Sequence, residues 1–430
     1  MKRDTIKEII EGKYADPDGG APLSVPTRSV VIAESLAGME AEAVAALNLG
    51  NKYAVVSDEN TYEALGSRIE RALKSIGAVT SVMMLEKPHA DIETVERLKA
   101  TTAGCDALVA VGSGTINDLC KYTAALMDKE YVVFGTAPSM NGYTSVNASI
   151  TVGGLKKTLP AIGAKGVFLD LKVLAAAPKR MILSGLGDSV CRPTAQTDWL
   201  LAHLLLGQPY REAPFTILAE FEDELFETSG ALAAGDLEAM DRLARTLVLS
   251  GFGMTICAGS QPASQAEHLI SHYIDMLGSP DWPESFHGEQ IGVTALTVAR
   301  LQERILAGGA PSVKPSAIRE ADLIERFGPE IGPPCWSEFS KKRLDSSGSD
   351  AMNEKLQKDW DGIKNRISKA ALPSEAIEKA LLRAGAFTAP EELGWPRDFY
   401  KKAVRHAREI RNRYTFLDLA GDAGMLEDID

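Results

Sequence analysis

The chain is short of cysteine, of positive charge and of long apolar runs. Its five cysteines, Cys105, Cys120, Cys191, Cys257 and Cys335, are scattered and never form a C-x-x-C pair. That excludes a disulfide-dense scaffold and a zinc ribbon, and reads as reduced thiols in a cytoplasmic protein. Lysine and arginine number 46 against 59 acidic residues, a net charge of −13, which argues against nucleic acid or an anionic membrane surface as partner. A phosphorylated substrate would need a local positive island on such a surface. No stretch approaches the roughly 20 apolar residues of a membrane span, and the opening MKRDTIKEIIEGKYADPDGG is not expected to be a signal peptide. Internal repeats, low-complexity tracts and a G-x-G-x-x-G fingerprint are also missing. Histidine is scarce, but half of the six residues fall between 268 and 287.

What is present describes a globular protein: 45% hydrophobic and 24% charged residues. A chain of 430 residues exceeds one ordinary core, so two domains or one enlarged α/β unit are expected. RSVVIA, KYAVVS, VTSVMML, DALVAVG and YVVFG read as strands, and longer helical patterns alternate with them between about residues 28 and 175. That rhythm predicts a mostly parallel sheet flanked by helices, with ligands at the C-terminal strand ends. SVNASITVGGLKKTLPA reads as a hairpin around Gly153-Gly154, placed to form a flap. From Pro178 onward strand signals nearly vanish. The expectation is an α/β domain over 1–175 followed by an all-α domain over 176–430. Residues 305–370 are rich in charge, proline, glycine and serine, and SKKRLDSSGSDAMNEK reads as an exposed connection or insertion.

The strand DALVAVG runs into Gly112-Ser113-Gly114-Thr115 and then a helical pattern. Glycines there allow close backbone approach to phosphate, and helix-terminal amides favour an anion. The same glycines also serve tight α/β packing. Asp58 ends KYAVVS, where a carboxylate can accept from a ribose diol or cap a helix. Its charge disfavours a 2′-phosphate and so favours NAD(H) over NADP(H). Thr136-Ala-Pro-Ser139 follows the next strand at the same predicted edge.

Asp188 sits in GLGDSV, read as at or near a helix start. His268 and His272 in AEHLISHYID share one helical face at i, i+4, and His287 follows at an expected loop–helix junction. Imidazoles and a carboxylate suit zinc and similar divalent metals, and three protein ligands leave a position open for substrate. Spacing alone allows both His268 and His272 as ligands, or one ligand and one substrate-binding group. Cys191 lies close to Asp188 without a paired ligand beside it.

Together Gly112-Ser-Gly-Thr-Ile-Asn-Asp118, Thr136-Ala-Pro-Ser-Met-Asn-Gly142, Gly187-Asp188, the histidines at 268, 272 and 287, and the closing RNRYTFLDLAGDAG resemble the sn-glycerol-1-phosphate dehydrogenases, in their bacterial-type branch. These share a superfamily with the iron-containing alcohol dehydrogenases, glycerol dehydrogenases and dehydroquinate synthases. The resemblance spans most of the chain. It implies a dehydroquinate synthase-like fold and a dinucleotide bound by Asp58, Gly114, Thr115, Ile116, Asn117, Asp118, Thr136, Ser139 and Ser145. It further implies a zinc or nickel ion on Asp188, His268 and His287, with Asp188 and His272 contacting substrate and carrying the chemistry. The implied reaction is reversible reduction of dihydroxyacetone phosphate to sn-glycerol 1-phosphate. A cytoplasmic homo-oligomer, with a dimer favoured, is expected. One departure stands out: Asn141 occupies the place where the family carries an aspartate as substrate-hydroxyl partner. An amide still bonds a hydroxyl but is uncharged and no base, which leaves room for a different polyol or sugar phosphate; the superfamily separately offers a phosphate-eliminating cyclase of the dehydroquinate-synthase kind as an alternative. Lys156, Lys157 and Arg192 are candidates for the phosphate island.

Overall fold

The computed structural model describes residues 4–153 and 155–426. Gly154 of the expected hairpin turn lies outside the described residues. Six strands, β1 (Ser29–Ala33), β2 (Lys52–Asp58), β3 (Val79–Leu85), β4 (Ala107–Gly112), β5 (Glu130–Gly135) and β8 (Gly166–Asp170), form one sheet in the order β1-β8-β5-β4-β2-β3. Every pairing in it is parallel. β4 is buried along its whole length, as a central strand covered on both faces must be. Alternate residues of neighbouring strands (Tyr53 and Val55, Val109 and Val111, Val132 and Phe134, Phe168) pack with Leu65, Ile69 and Leu73 into one core. Each such side chain contributes about 1.5–3 kcal/mol on burial. A separate antiparallel hairpin joins β6 (Asn147–Val152) to β7 (Leu155–Pro160), with Gly153 at φ +60°.

The five expected strands and the hairpin are present, but β8 is an addition. GVFLD is short and is followed at once by a helix that Asp170 caps, its side chain accepting the Val173 N–H. It lies between β1 and β5. After β8 no further strand occurs among the described residues. None of their helices is long and apolar enough to cross a membrane.

The chain divides into two compact units, Met1–Ser189 with Glu212–Ser260, and Val190–Arg211 with Gln261–Asp430. The cut therefore differs from a single boundary near 175. The helix Leu237–Ile256 belongs with the sheet because it is bonded to the segment after β5. Thr144 Oγ1 donates to the Val248 carbonyl at 2.7 Å, and Thr255 Oγ1 to the Thr144 carbonyl at 2.9 Å.

The second unit is helical. Its core includes the region read as an exposed connection. Ser346–Ser368 is helical with a kink at Asp359 and buries Met352, Leu356, Trp360, Ile363 and Ile367. Lys342 of the same polar stretch is buried against Asp418, with Nζ 2.8 Å from Oδ1. The stretch is therefore not an exposed connection: its polar residues form the outer face of an amphipathic helical segment, whose apolar positions recur every three or four residues.

Candidate active site

The sheet brings the expected dinucleotide residues to one edge. β5, β4 and β2 are adjacent and parallel, so Thr136, the Gly112-Ser113-Gly114 turn and Asp58 all stand at the same C-terminal ends. The helix Gly114–Leu126 starts directly from β4, and a Cβ on Gly112 would lie 2.6 Å from the Ile116 side chain. Glycine is thus needed for the helix to turn back onto its own strand. Asp58 caps the next helix, Oδ1 accepting the Thr61 N–H at 2.8 Å. Ile116 and Asn117 are buried. Asn117 Oδ1 accepts from the Tyr131 hydroxyl and Nδ2 donates toward the Gly142 carbonyl, while its N–H is donated to the Ser113 carbonyl at 2.9 Å. Asp118 Oδ2 accepts the Ser149 N–H at 3.0 Å and ties β6 to this helix. Ser113 and Ser139 are bonded through their hydroxyls.

The loop after β5 is fastened to the helix Lys179–Val190. Ser184 Oγ donates to the Ser139 carbonyl at 3.0 Å, and the Asn141 N–H donates to Asp188 Oδ2 at 2.8 Å. Gly185 makes this approach possible, because a Cβ there would sit 1.6 Å from the Pro138 carbonyl oxygen. Asp188 is 3% exposed and stands in the last turn of its helix rather than at a start. The glycines of GLGDSV allow close packing without breaking the helix. A carboxylate at the negative end of a helix dipole favours a cation beside it.

In the second unit His268 and His272 lie on the helix Ala266–Leu277, and His287 is the first residue of His287–Ala307. The three rings cluster, with centroids 5.0 Å apart for His268 and His287, 6.1 Å for His268 and His272, and 6.4 Å for His272 and His287. The Nε2 atoms of His268 and His287 are 3.3 Å apart. Two nitrogens each about 2.0–2.1 Å from a tetrahedral zinc stand roughly 3.4 Å apart, so the donor set fits a divalent metal. His268 Nδ1 is 2.9 Å from Glu267 Oε1. Cys191, Glu267 and His268 also bring ligand atoms within 4.8 Å of one another.

Lys121 went unnoticed in the sequence. It is wholly buried, and Nζ donates to the Gly142 carbonyl (2.6 Å), the Asn147 carbonyl (2.9 Å) and Ser145 Oγ (3.1 Å). Burial pulls its ammonium below the usual lysine range, against the opposing pull of Asp118. A lysine in a helical pattern reads as surface, and no local signal marks it otherwise. Glu267 was passed over for the same reason. Lys156 and Lys157 are exposed on β7, and Arg192 Nη1 donates to Gln196 Oε1.

A family model described as iron-containing alcohol dehydrogenase matches residues 31–178. A glycerol-1-phosphate dehydrogenase (NAD(P)+) of Thermococcus kodakarensis is 32% identical over 313 residues, 69% of this chain and 88% of its own length. One from Geobacillus stearothermophilus is 28% identical over 426 residues, 96% of this chain and 97% of its own. Among solved structures, a probable glycerol dehydrogenase from Sinorhizobium meliloti superposes with a TM-score of 0.62 at 19% identity, covering 93% of this chain and 96% of its own. Sulfoacetaldehyde reductase from Bifidobacterium kashiwanohense, in complex with NAD+, gives 0.59 at 16% identity, covering 97% and 99%. These two likenesses show the shared fold.

Proposed function

Because this chain belongs to the NAD(P)+-linked glycerol-1-phosphate dehydrogenase family, we propose that it interconverts dihydroxyacetone phosphate and sn-glycerol 1-phosphate with NAD(H) as the favoured cofactor. The enzyme is an oxidoreductase acting on a CH–OH group. The observation that carries the reading is the extent of the likeness to Thermococcus kodakarensis glycerol-1-phosphate dehydrogenase, across 88% of that protein.

The residue assignments follow from it. Asp58, Gly114, Thr115, Ile116, Asn117, Asp118, Thr136, Ser139 and Ser145 bind the dinucleotide. Asp188, His268 and His287 hold one zinc or nickel ion, which suits two imidazoles and a carboxylate. When bound, the metal supplies Lewis-acid polarisation of the substrate carbonyl and the nicotinamide supplies or accepts hydride. His272 hydrogen-bonds the substrate and passes a proton to or from its oxygen. Asp188 contacts substrate as well as metal, and the Asn141 amide bonds a substrate hydroxyl without acting as a base. The absence of any disulfide among the five cysteines agrees with a cytoplasmic location, and a homodimer is the proposed assembly.

Incubation with NADH and either dihydroxyacetone phosphate or dihydroxyacetone, with chiral analysis of the product, tests the reading. Stoichiometric NADH oxidation with the phosphate ester and an sn-1 product are expected. Equal rates with the unphosphorylated ketone would favour the polyol reading that Asn141 leaves room for. Phosphate release without net NADH loss would favour a cyclase.

A further inference from the structure

We propose that Glu267 is a positioning residue that fixes the tautomer of His268, so that His268 presents the lone pair of Nε2 to the metal. The inference rests on the metal reading above.

Glu267 is 0% exposed. Its Oε1 accepts the Gln265 N–H at 2.7 Å and lies 2.9 Å from His268 Nδ1. An oxygen already taking an amide proton acts as an acceptor, so the hydrogen between Oε1 and the imidazole belongs to Nδ1. A neutral imidazole with hydrogen on Nδ1 has its lone pair on Nε2, the atom facing His287 Nε2. An outer carboxylate of this kind holds the ring's orientation and raises the basicity of the ligating nitrogen.

The surroundings hold Glu267 in place. Asp198, on the helix Arg192–Leu206, accepts the Ala266 N–H at 3.1 Å through Oδ2 and the Phe416 N–H at 2.8 Å through Oδ1. It therefore joins the first residue of the histidine-bearing helix to the closing segment. Arg413, from that segment, donates to the carbonyl and hydroxyl of Ser264. The RNRYTF motif thereby braces the turn that leads into Glu267 and His268.

Zinc affinity by competition with a chromophoric chelator, and long-range 1H–15N spectra of the metal-free protein, test the proposal on wild type, Glu267→Gln, Glu267→Leu and His268→Ala. The spectrum lost in His268→Ala identifies the His268 signals. The expected results are an Nδ1–H tautomer in wild type and in Glu267→Gln, whose Oε1 still accepts. Zinc affinity should stay within about threefold in Glu267→Gln and fall about 10–100-fold in Glu267→Leu. An Nε2–H tautomer in wild type overturns the proposal even if Glu267→Leu does not fold. Zinc binding lost in His268→Ala but unchanged in a folded Glu267→Leu overturns the proposal alone. Weak zinc binding in wild type, unchanged by His268→Ala, overturns the metal reading and this inference with it.

Discussion

The backbone N–H of Asn141 is bonded to the Asp188 carboxylate, Oδ2 at 2.8 Å. One residue in the loop after β5 and one in the last turn of the helix Lys179–Val190 are thus locked together. The bond runs through the main chain, so it survives replacement of the Asn141 side chain. That separates two roles at one position: the amide proton is bonded to Asp188, and on the proposed reading the side chain bonds a substrate hydroxyl.

Asn141→Ala should accordingly leave the fold and the metal content intact while lowering kcat/KM for dihydroxyacetone phosphate about tenfold or more, the loss of one hydrogen bond to a substrate hydroxyl. Steady-state kinetics beside metal analysis check it. A fall in metal content would mean that the side chain, not the main chain, supports Asp188.

Gly185→Ala attacks the same junction from the helix side. Its Cβ would lie 1.6 Å from the Pro138 carbonyl oxygen, which backbone cannot tolerate without moving. A loss of about 1–3 kcal/mol in stability is expected, read from the urea midpoint, with kcat falling as Asp188 shifts. A wild-type midpoint would show that the loop yields freely.

Much of this arrangement was legible because its signals are local. Val, Ile and Ala runs fix β2, β4 and β5, and the i, i+4 spacing of His268 and His272 puts them on one face whatever surrounds the helix. Lys121, Glu267 and β8 were not legible. A buried lysine or glutamate differs from a surface one only in what surrounds it, and its acceptors here come from residues 142–147. GVFLD is too short to separate from a buried helix start without knowing that β1 and β5 flank it. The helix Ser346–Ser368 was hidden by composition, although Met352, Leu356, Trp360, Ile363 and Ile367 carry the helical period.

Lys121→Met should remove the ammonium's bonds to the Gly142 and Asn147 carbonyls, the Ser145 hydroxyl and the Asp118 carboxylate at once. The Gly142 and Asn147 carbonyls keep the Ser145 hydroxyl as a donor, so a loss of about 1–3 kcal/mol is expected, with a raised KM for the dinucleotide because the Ser145 hydroxyl loses the lysine donor. Chemical denaturation and cofactor titration measure the two effects. A stable variant with unchanged KM would make Lys121 dispensable to the site.

Asp58→Asn keeps a side-chain oxygen to cap the Thr61 N–H but removes the charge. Activity with NADPH should rise relative to NADH by about tenfold, near 1.4 kcal/mol, without loss of stability. The ratio of kcat/KM for the two cofactors decides it: no change would reduce Asp58 to its capping role.

Asp198 gives the protein a pH-dependent stability of definite sign. Burial, reinforced by the nearby Glu267 carboxylate, pushes its carboxyl up from the ordinary 3.8 to about 8, against the bonds from Phe416, Ala266 and Gln302. Below about pH 4 both folded and unfolded chains carry the proton, and Asp198 contributes no pH dependence. Between about 4 and 8 the unfolded chain releases its proton while the folded one keeps it, so stability falls as pH rises. Above about 8 both forms are ionised and the loss levels off. Urea midpoints across pH 5–9 for wild type and Asp198→Asn measure this term. The variant should be flatter across the range, because asparagine cannot ionise, and lower in absolute stability where its Nδ2 meets the Ala266 N–H that Oδ2 now accepts. Parallel pH profiles for the two proteins would mean that Asp198 is ionised in the fold throughout, held by its three donors in spite of burial.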